Sequence, residues 1–196
     1  MNRLSRAITF AIALLGLASA SSGQGLRQAP LGFCSISSMT VATNITATNC
    51  VFASFTASID ATGGVTMTVT AISSGYILGG QPVNGTGVAV GTVVTGQISG
   101  IPGGVGVYRV NQSQTIASEA MTTAGVPPSA NYAVVSVVTQ GVVYRDDGTA
   151  PTGTPGSGGI GVSAGSYLPY TGPLGSIQFI QQASGAVIGI NFWRMS

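Results

Sequence analysis

Two adjacent acidic side chains beside a basic one are the part of this chain best placed to do chemistry. Arg145, Asp146 and Asp147 are consecutive in a sequence with six Lys and Arg residues and four Asp and Glu residues in all. They follow the strand-like run at residues 142–144 and precede Gly148. An Asp-Gly pair after such a run predicts a turn, because glycine accepts positive φ and aspartate hydrogen-bonds to the nearby backbone. We therefore predict a strand that ends in a charged turn.

These two carboxylates can be considered as a Ca²⁺ site or as partners of a cation. Ca²⁺ takes about six to eight oxygen ligands, and no third acidic residue lies near Asp146 and Asp147 in the sequence. We therefore predict no metal site. Instead we expect one carboxylate to cap the turn. We expect the other to pair with Arg145, or with Arg109 or Arg194 from another strand or subunit.

The other acidic residues, Asp60 and Glu119, widen the search for a catalytic pair. Glycoside hydrolysis needs two carboxyl groups held in different environments, and nothing in the spacing or flanks of the four acidic residues distinguishes such a pair. The chain contains no His, which excludes a Ser-His-Asp triad within one chain. We predict no catalytic residue and no enzymatic activity.

Residues 156–161 fit the glycine pattern G-x-G-x-x-G of dinucleotide-binding loops. That function requires a preceding strand, a following helix and an acidic residue about twenty positions further on. Here the preceding residues are rich in proline, the following ones are strand-like, and no acidic residue occurs after Asp147. We predict no bound cofactor.

Cys34 and Cys50 are the chain's two cysteines, and their spacing matches none of the paired spacings of zinc sites. One interpretation is a disulfide that closes a small loop, which requires an oxidising compartment. The other is a pair of buried thiols used as small apolar residues. Neither interpretation makes them catalytic, because a thiol nucleophile needs a base or a positive neighbour.

Large aromatic residues are concentrated near the C-terminus: Tyr167, Tyr170, Phe179, Phe192 and Trp193. Alternate aromatics on the closing strands of a small sandwich usually form its core, and we favour this interpretation for the group. The alternative is a receptor or sugar patch, because binding surfaces favour Tyr, Trp and Arg. Tyr167, Tyr170 and Trp193 are its candidate residues.

Charged residues make up only 5% of the chain, against about 25% in an ordinary soluble domain. The apolar fraction of 44% is ordinary, so Ser, Thr, Gly, Asn and Gln must form most of the exterior. A net charge of +2 without a Lys or Arg cluster leaves no patch that could follow a phosphate backbone, and we expect no nucleic-acid partner. Low charge also favours association, so we expect a homo-oligomer.

The first 25 residues differ from the rest of the chain. Two arginines, an apolar run at residues 7–17 and an Ala-x-Ala site are typical of a secretory signal peptide, which would be cleaved after residue 20. The alternative is an apolar N-terminal helix that is retained, packs in an oligomer or contacts a membrane through residues 7–17. This run is short for a membrane span, which needs about twenty residues.

The remaining sequence predicts an all-β fold with two small modules. Residues 26–50 are rich in Ser, Thr and Asn and predict an extended arm. Residues 51–124 show apolar and Thr residues in alternation, broken by glycines, which predicts a β-meander. Tandem prolines in residues 125–129 predict a linker. Residues 130–196 form the second module. We expect both modules to be antiparallel β-sandwiches or barrels, each marginally stable alone because of its size.

The C-terminal module carries a family resemblance. Its order is Tyr-Arg-Asp-Asp-Gly-Thr-Ala-Pro-Thr at residues 144–152, an aromatic edge at 167–170, Ile-x-Phe-Ile at 177–180 and an aromatic-Arg end at 192–194. This order resembles a small β-domain found in structural proteins of tailed-bacteriophage virions, over roughly residues 129–194. A second stretch, residues 63–123, resembles a Gly/Thr/Val-rich module of phage tail, fibre and head-surface proteins.

The resemblance implies a structural component of a phage virion that acts by assembly with other virion proteins, such as capsid or tail subunits. Within that class, the short chain of 196 residues favours an accessory head-surface decoration (cement) or head-fibre protein. The resemblance implies assembly as a homotrimer. One alternative is a tail- or fibre-associated virion protein, with a host surface ligand left open. Another is a secreted or periplasmic bacterial module that binds carbohydrate or a surface partner and is exported by residues 1–20.

Overall fold

The computed structural model describes residues 28–62 and 65–196, and the regular elements of these ranges are all β-strands, which confirms the all-β prediction. The predicted N-terminal helix or signal (residues 1–25), including the apolar run at 7–17, lies outside the described residues. Within the described ranges, no helix is long and apolar enough to cross a membrane.

Fourteen strands form three antiparallel sheets. In chain order they are β1 (Gln28–Ser37), β2 (Thr43–Asn44), β3 (Val51–Asp60), β4 (Thr66–Gly75), β5 (Val83–Asn84), β6 (Val94–Gly100), β7 (Gly106–Val110), β8 (Ile116–Ala124), β9 (Tyr132–Val137), β10 (Val142–Arg145), β11 (Ile160–Val162), β12 (Tyr167–Tyr170), β13 (Gln178–Gln181) and β14 (Val187–Met195).

Two of the sheets pack face to face as a sandwich. The first sheet has the order β1-β14-β9-β12 and the second β11-β10-β13-β2. Strand β9 shows why the sandwich forms, since Ala133, Val135 and Val137 alternate with half-buried residues and point into the core. Phe179 and Ile190 meet them in the same buried cluster, from the second and first sheets respectively.

Of the predicted extended arm, residues 26–50, the described part from residue 28 onward belongs to this sandwich. Strand β1 pairs with β14 from Gln28 to Ser37, with a bulge between Pro30 and Gly32, and β2 pairs with β13. Its larger apolar residues, among them Leu31, Phe33 and Ile36, do not keep a strict period of two along the arm, so the sequence shows no strong strand pattern. The pairing partners lie at the other end of the chain. The C-terminal module therefore needs residues from both sides of the 51–124 segment.

Residues 51–124 form a half-barrel, a six-stranded sheet with the order β5-β8-β3-β4-β7-β6. The predicted meander is wrong in its pairing, because β8 returns to β3 and β7 pairs with β4. The predicted alternation is correct in β4, where Met67 and Val69 are buried and Thr68 and Thr70 are exposed. The half-barrel has a buried cluster of its own, with Phe55 and Tyr108 among its largest members.

The half-barrel is inserted into the sandwich at one junction. The chain leaves at Cys50 and returns at Gly125, whose N–H donates to the Cys50 carbonyl oxygen at 2.8 Å. Phe52, near the start of β3, belongs to the core cluster of the sandwich and packs edge-to-face on Phe192, with ring centroids 5.8 Å apart. The predicted linker is a packed connection, in which Pro127 is buried.

Candidate functional site

The charged turn follows β10, as predicted, but one aspartate performs both expected roles. Asp147 accepts a hydrogen bond from Arg145 Nε at 3.1 Å and another from the Thr149 N–H at 3.0 Å. It therefore pairs with Arg145 and caps the turn. Asp146 instead accepts a hydrogen bond from the Tyr170 hydroxyl at 3.1 Å.

Arg109 and Arg194 do not take part in this turn. Arg109 lies on β7 of the half-barrel and Arg194 on β14 of the first sheet, and both are exposed. Within residues 28–62 and 65–196, Arg145 and Asp147 form the single ion pair. Of the three predicted partners, the structure confirms Arg145, and a pairing with Arg109 or Arg194 of another subunit stays a prediction.

The contacts of the turn shift the pKa values of its groups. The hydrogen bond from Arg145, together with the Thr149 N–H, holds the pKa of the Asp147 carboxyl well below its usual range. Burial, with the Asp146 contact as a second cause, raises the pKa of Tyr170 to about 12. Asp147 is therefore ionised and Tyr170 neutral over the physiological pH range, and neither is poised to exchange a proton.

An open pocket of about 500 Å³ lies beside the turn, with Tyr144, Asp146, Gly156, Gly159 and Ile160 among its lining residues. Its carboxylates are engaged by Arg145 and Tyr170. Among the residues that the structure describes, no group of three or more His, Cys, Asp or Glu side chains could hold a metal ion.

The G-x-G-x-x-G segment forms a loop that leads into a strand. Gly156 N–H donates to the Gly159 carbonyl oxygen at 2.9 Å, and β11 begins at Ile160. A dinucleotide site needs a helix N-terminus after the glycines, and in the described part of the chain a strand follows them.

Asp60 and Glu119 lie on strands of the half-barrel, whereas the charged turn follows β10 in the sandwich. Asp60 ends β3 and accepts the Thr62 N–H at 2.7 Å, which lowers the pKa of Asp60. Glu119 lies on β8 opposite Ala57, and its buried Oε1 has no hydrogen-bond partner within the described residues. The four acidic residues are thus divided between the two modules.

Cys34 and Cys50 form a disulfide. Cys34 lies on β1 and Cys50 immediately precedes β3, so the bond ties the sandwich to the point where the chain enters the half-barrel. Both residues are buried. The bond therefore stabilises the junction, where Phe52 also packs against Phe192.

The candidate aromatics of the last module point to opposite sides of the first sheet. Tyr170 is buried in the sandwich core. Tyr167, on β12, is 72% exposed. Trp193, on β14, is partly exposed and points away from the core residue Phe192 that precedes it. The core interpretation is therefore confirmed for Tyr170, Phe179 and Phe192. It is wrong for the exposed Tyr167, and the surface-patch alternative is wrong for the buried Tyr170.

The junction carries a second pocket that the sequence did not reveal. It has a volume of about 340 Å³ and is lined chiefly by Phe33, Tyr76, Leu78, Gln81, Asn191 and Trp193. Only Trp193 was a candidate from sequence. These residues come from β1, β14 and the segment between β4 and β5, so no local motif joins them. Gly32 also lines the pocket, where an added Cβ would lie 2.8 Å from the Phe52 ring; this close approach is visible only in the structure.

No protein-family model, no curated protein and no solved structure matches this chain. Its function must therefore be inferred from its own surfaces. The structure offers three features: a charged turn whose groups bond one another and nearby residues, an apolar pocket at the junction, and many exposed apolar side chains.

Proposed function

We propose that this protein is a non-enzymatic structural component of a tailed-phage virion, acting by assembly. The resemblance of residues 129–194 and 63–123 to virion modules supports this function. Within that class we favour an accessory head-surface decoration or head-fibre protein, built as a homotrimer, over a tail- or fibre-associated one.

The observation that carries the proposal is a surface with few charges and many exposed apolar side chains. In the part of the chain that the structure describes, nine large ones are at least half exposed: Phe33, Val41, Tyr76, Val90, Ile98, Ile101, Val138, Ile160 and Tyr167. Single exposed apolar residues are ordinary, but clustered ones mark interaction surfaces. A surface of this kind associates by packing, and it depends little on salt.

One group of exposed apolar residues lies on the β6–β7 hairpin, which forms one edge of the half-barrel. Ile98, Ile101 and Val105 are exposed within a few residues of each other, and the Ile101 N–H donates to the Val105 carbonyl oxygen at 2.9 Å, which closes the hairpin. Edge strands are usually protected by charged residues or proline, and β6 has neither. Bulges interrupt the β6 ladder, so we expect copies to pack through these side chains.

Light scattering of the purified protein tests this proposal. We expect an oligomer with the mass of a trimer at both low and high salt. The double substitution Ile98→Ser and Ile101→Ser should yield a monomer, because it removes the apolar contact. Val90→Ser, at a residue that is 99% exposed outside the hairpin, is the matched control and should remain an oligomer. A monomeric wild-type protein would overturn the assembly mechanism.

A second candidate function is that of an exported bacterial binding module, and the Cys34–Cys50 disulfide favours it, because such bonds persist in oxidising compartments. Intact-mass measurement separates the two candidates. Loss of residues 1–20 together with oxidised cysteines supports export. An intact N-terminus in purified phage particles, at a fixed copy number, supports the virion component.

A further inference from the structure

The junction pocket has the features of a small-ligand site. It lies where the sandwich meets the half-barrel, and its volume of about 340 Å³ falls at the lower end of the range of about 300 to 1,000 Å³ for ligand pockets. Such sites prefer domain junctions and combine apolar walls with a few placed polar groups. The pocket therefore suits a ligand of one or two rings.

Its walls present rings and no charge. Phe33 and Tyr76 are exposed at its mouth, at 54% and 72%, and Trp193 contributes a partly exposed indole. Among residues 28–62 and 65–196, no Asp, Glu, Lys or Arg lines it. An ionised ligand would lose hydration here without gaining a partner, so the pocket favours an uncharged one.

Two amides supply the polar groups. Gln81 is fully buried, at 0% exposure, and its Oε1 accepts the Leu78 N–H at 3.1 Å. Its Nε2 has no hydrogen-bond partner within the described residues. The half-buried Asn191 also lines the pocket, and its side-chain amide makes no hydrogen bond with the part of the chain that the structure describes. A buried donor without a partner is costly. Because this Nε2 atom has almost no accessible surface, a ligand oxygen reaches it when the amide turns toward the pocket, and that contact would relieve the cost.

We infer that the junction pocket binds a neutral sugar ring. A pyranose offers an apolar face of C–H groups for stacking on an aromatic ring and hydroxyl oxygens for amide donors, which is what Tyr76, Trp193 and Gln81 provide together. A purely apolar ligand would leave the amides unpaired. The inference holds whether the protein is a virion component or an exported bacterial module.

Titration of the full chain with methyl glycosides of neutral hexoses and N-acetylhexosamines tests the inference. Trp193 is the chain's single tryptophan, so its fluorescence reports on the pocket directly. We expect a saturable change in emission. Proton–nitrogen NMR should show the side-chain amide signals of Gln81 and Asn191 shifting in the same titration.

Tyr76→Ala should weaken glycoside binding about fivefold, because aromatic stacking is worth about 1 kcal/mol. Tyr167→Ala is the matched control, since Tyr167 is also 72% exposed but lies outside the pocket, and it should bind as the wild type does. Both tyrosines are exposed, so both variants should fold, which circular dichroism verifies. Equal losses in the two variants would overturn the inference.

NMR titration with two further ligands distinguishes a sugar site from a site for another kind of occupant. p-Cresol mimics a tyrosine side chain of a partner protein, and cyclohexanol mimics a ring with a single hydroxyl. We expect both to bind more weakly than the best glycoside. If either binds as tightly, or if no glycoside produces a saturable change, the pocket is not a sugar site. The assembly proposal would survive that result, because it is tested by oligomeric state.

Discussion

The Tyr170 hydroxyl donates to Asp146 from a side chain that is otherwise buried in the sandwich core. We predict that Tyr170→Phe lowers the free energy of unfolding by about 1 kcal/mol, the usual value of one hydrogen bond. Urea denaturation measures this change. Tyr167→Phe is the control, because the exposed Tyr167 hydroxyl makes no hydrogen bond within the described residues, and it should have no effect. Equal stability of the two variants would contradict a structural role for the contact.

The same tyrosine should make stability depend on alkaline pH. The folded-state pKa of Tyr170 is raised from 10.0 to about 12, and burial also raises the pKa values of Tyr108 and Tyr144. The unfolded chain loses these protons first, so the free energy of unfolding should decrease as pH rises from about 10 to about 12. Thermal unfolding across this range measures the decrease, which should be smaller in Tyr170→Phe. An identical pH profile would contradict the raised pKa.

At the scale of single elements, Gly75 is the last residue of β4, where this strand pairs with β3. Its φ is +73°, and an added Cβ would overlap the carbonyl oxygen of Phe52. We predict that Gly75→Ala lowers the free energy of unfolding by about 3 kcal/mol or more, because the clash is with backbone and the conformation is strained. Gly96→Ala on β6, where no heavy atom lies within 4 Å of the added carbon, should cost about 0.5 kcal/mol at most. Urea denaturation compares them, and similar losses would contradict this backbone geometry.

The disulfide joins β1 to the start of β3 across a separation of 16 residues. We predict that replacing both Cys34 and Cys50 with Ala lowers the free energy of unfolding by about 3 kcal/mol, mainly because the unfolded chain gains freedom. Denaturation with and without a reducing agent measures it. Reduction should destabilise the wild-type protein by a similar amount and leave the variant unchanged. A wild-type protein that does not respond to reduction would show two free thiols.

The whole molecule is a sandwich interrupted by a half-barrel. Val51 and Ala124 are direct partners on β3 and β8, so the ends of the insertion are adjacent. We predict that replacing residues 53–123 with a two-residue Asn-Gly loop leaves a folded sandwich, because such a loop connects neighbouring antiparallel strands. Near-ultraviolet circular dichroism of Trp193 measures the fold. The matched chain of residues 125–196 lacks β1 and β2 and should be unfolded. If this shorter chain folds, the pairing of β1 with β14 is not needed for the first sheet, which would contradict the prediction.

Much of the local structure could be predicted from sequence. The charged turn after residue 145 and the alternation in β4 both follow from short-range rules, since turn chemistry and period-two patterning involve neighbouring residues. The role of Asp147 was only partly predicted. That it pairs and caps at once, while Asp146 contacts Tyr170 24 positions away, depends on how β10 and β12 are placed relative to each other.

By itself, the sequence determined that this protein is all-β, carries few charges and has a mostly uncharged exterior, because composition and periodicity act residue by residue. Tertiary structure alone decided that residues 28–44 complete a sandwich with the C-terminus, that Cys34 meets Cys50, and that Phe33, Gln81 and Trp193 form one pocket. Strands with similar apolar alternation can pair in many orders. The pairing order is decided only when the whole chain folds, because it depends on which arrangement of strands buries the most apolar surface.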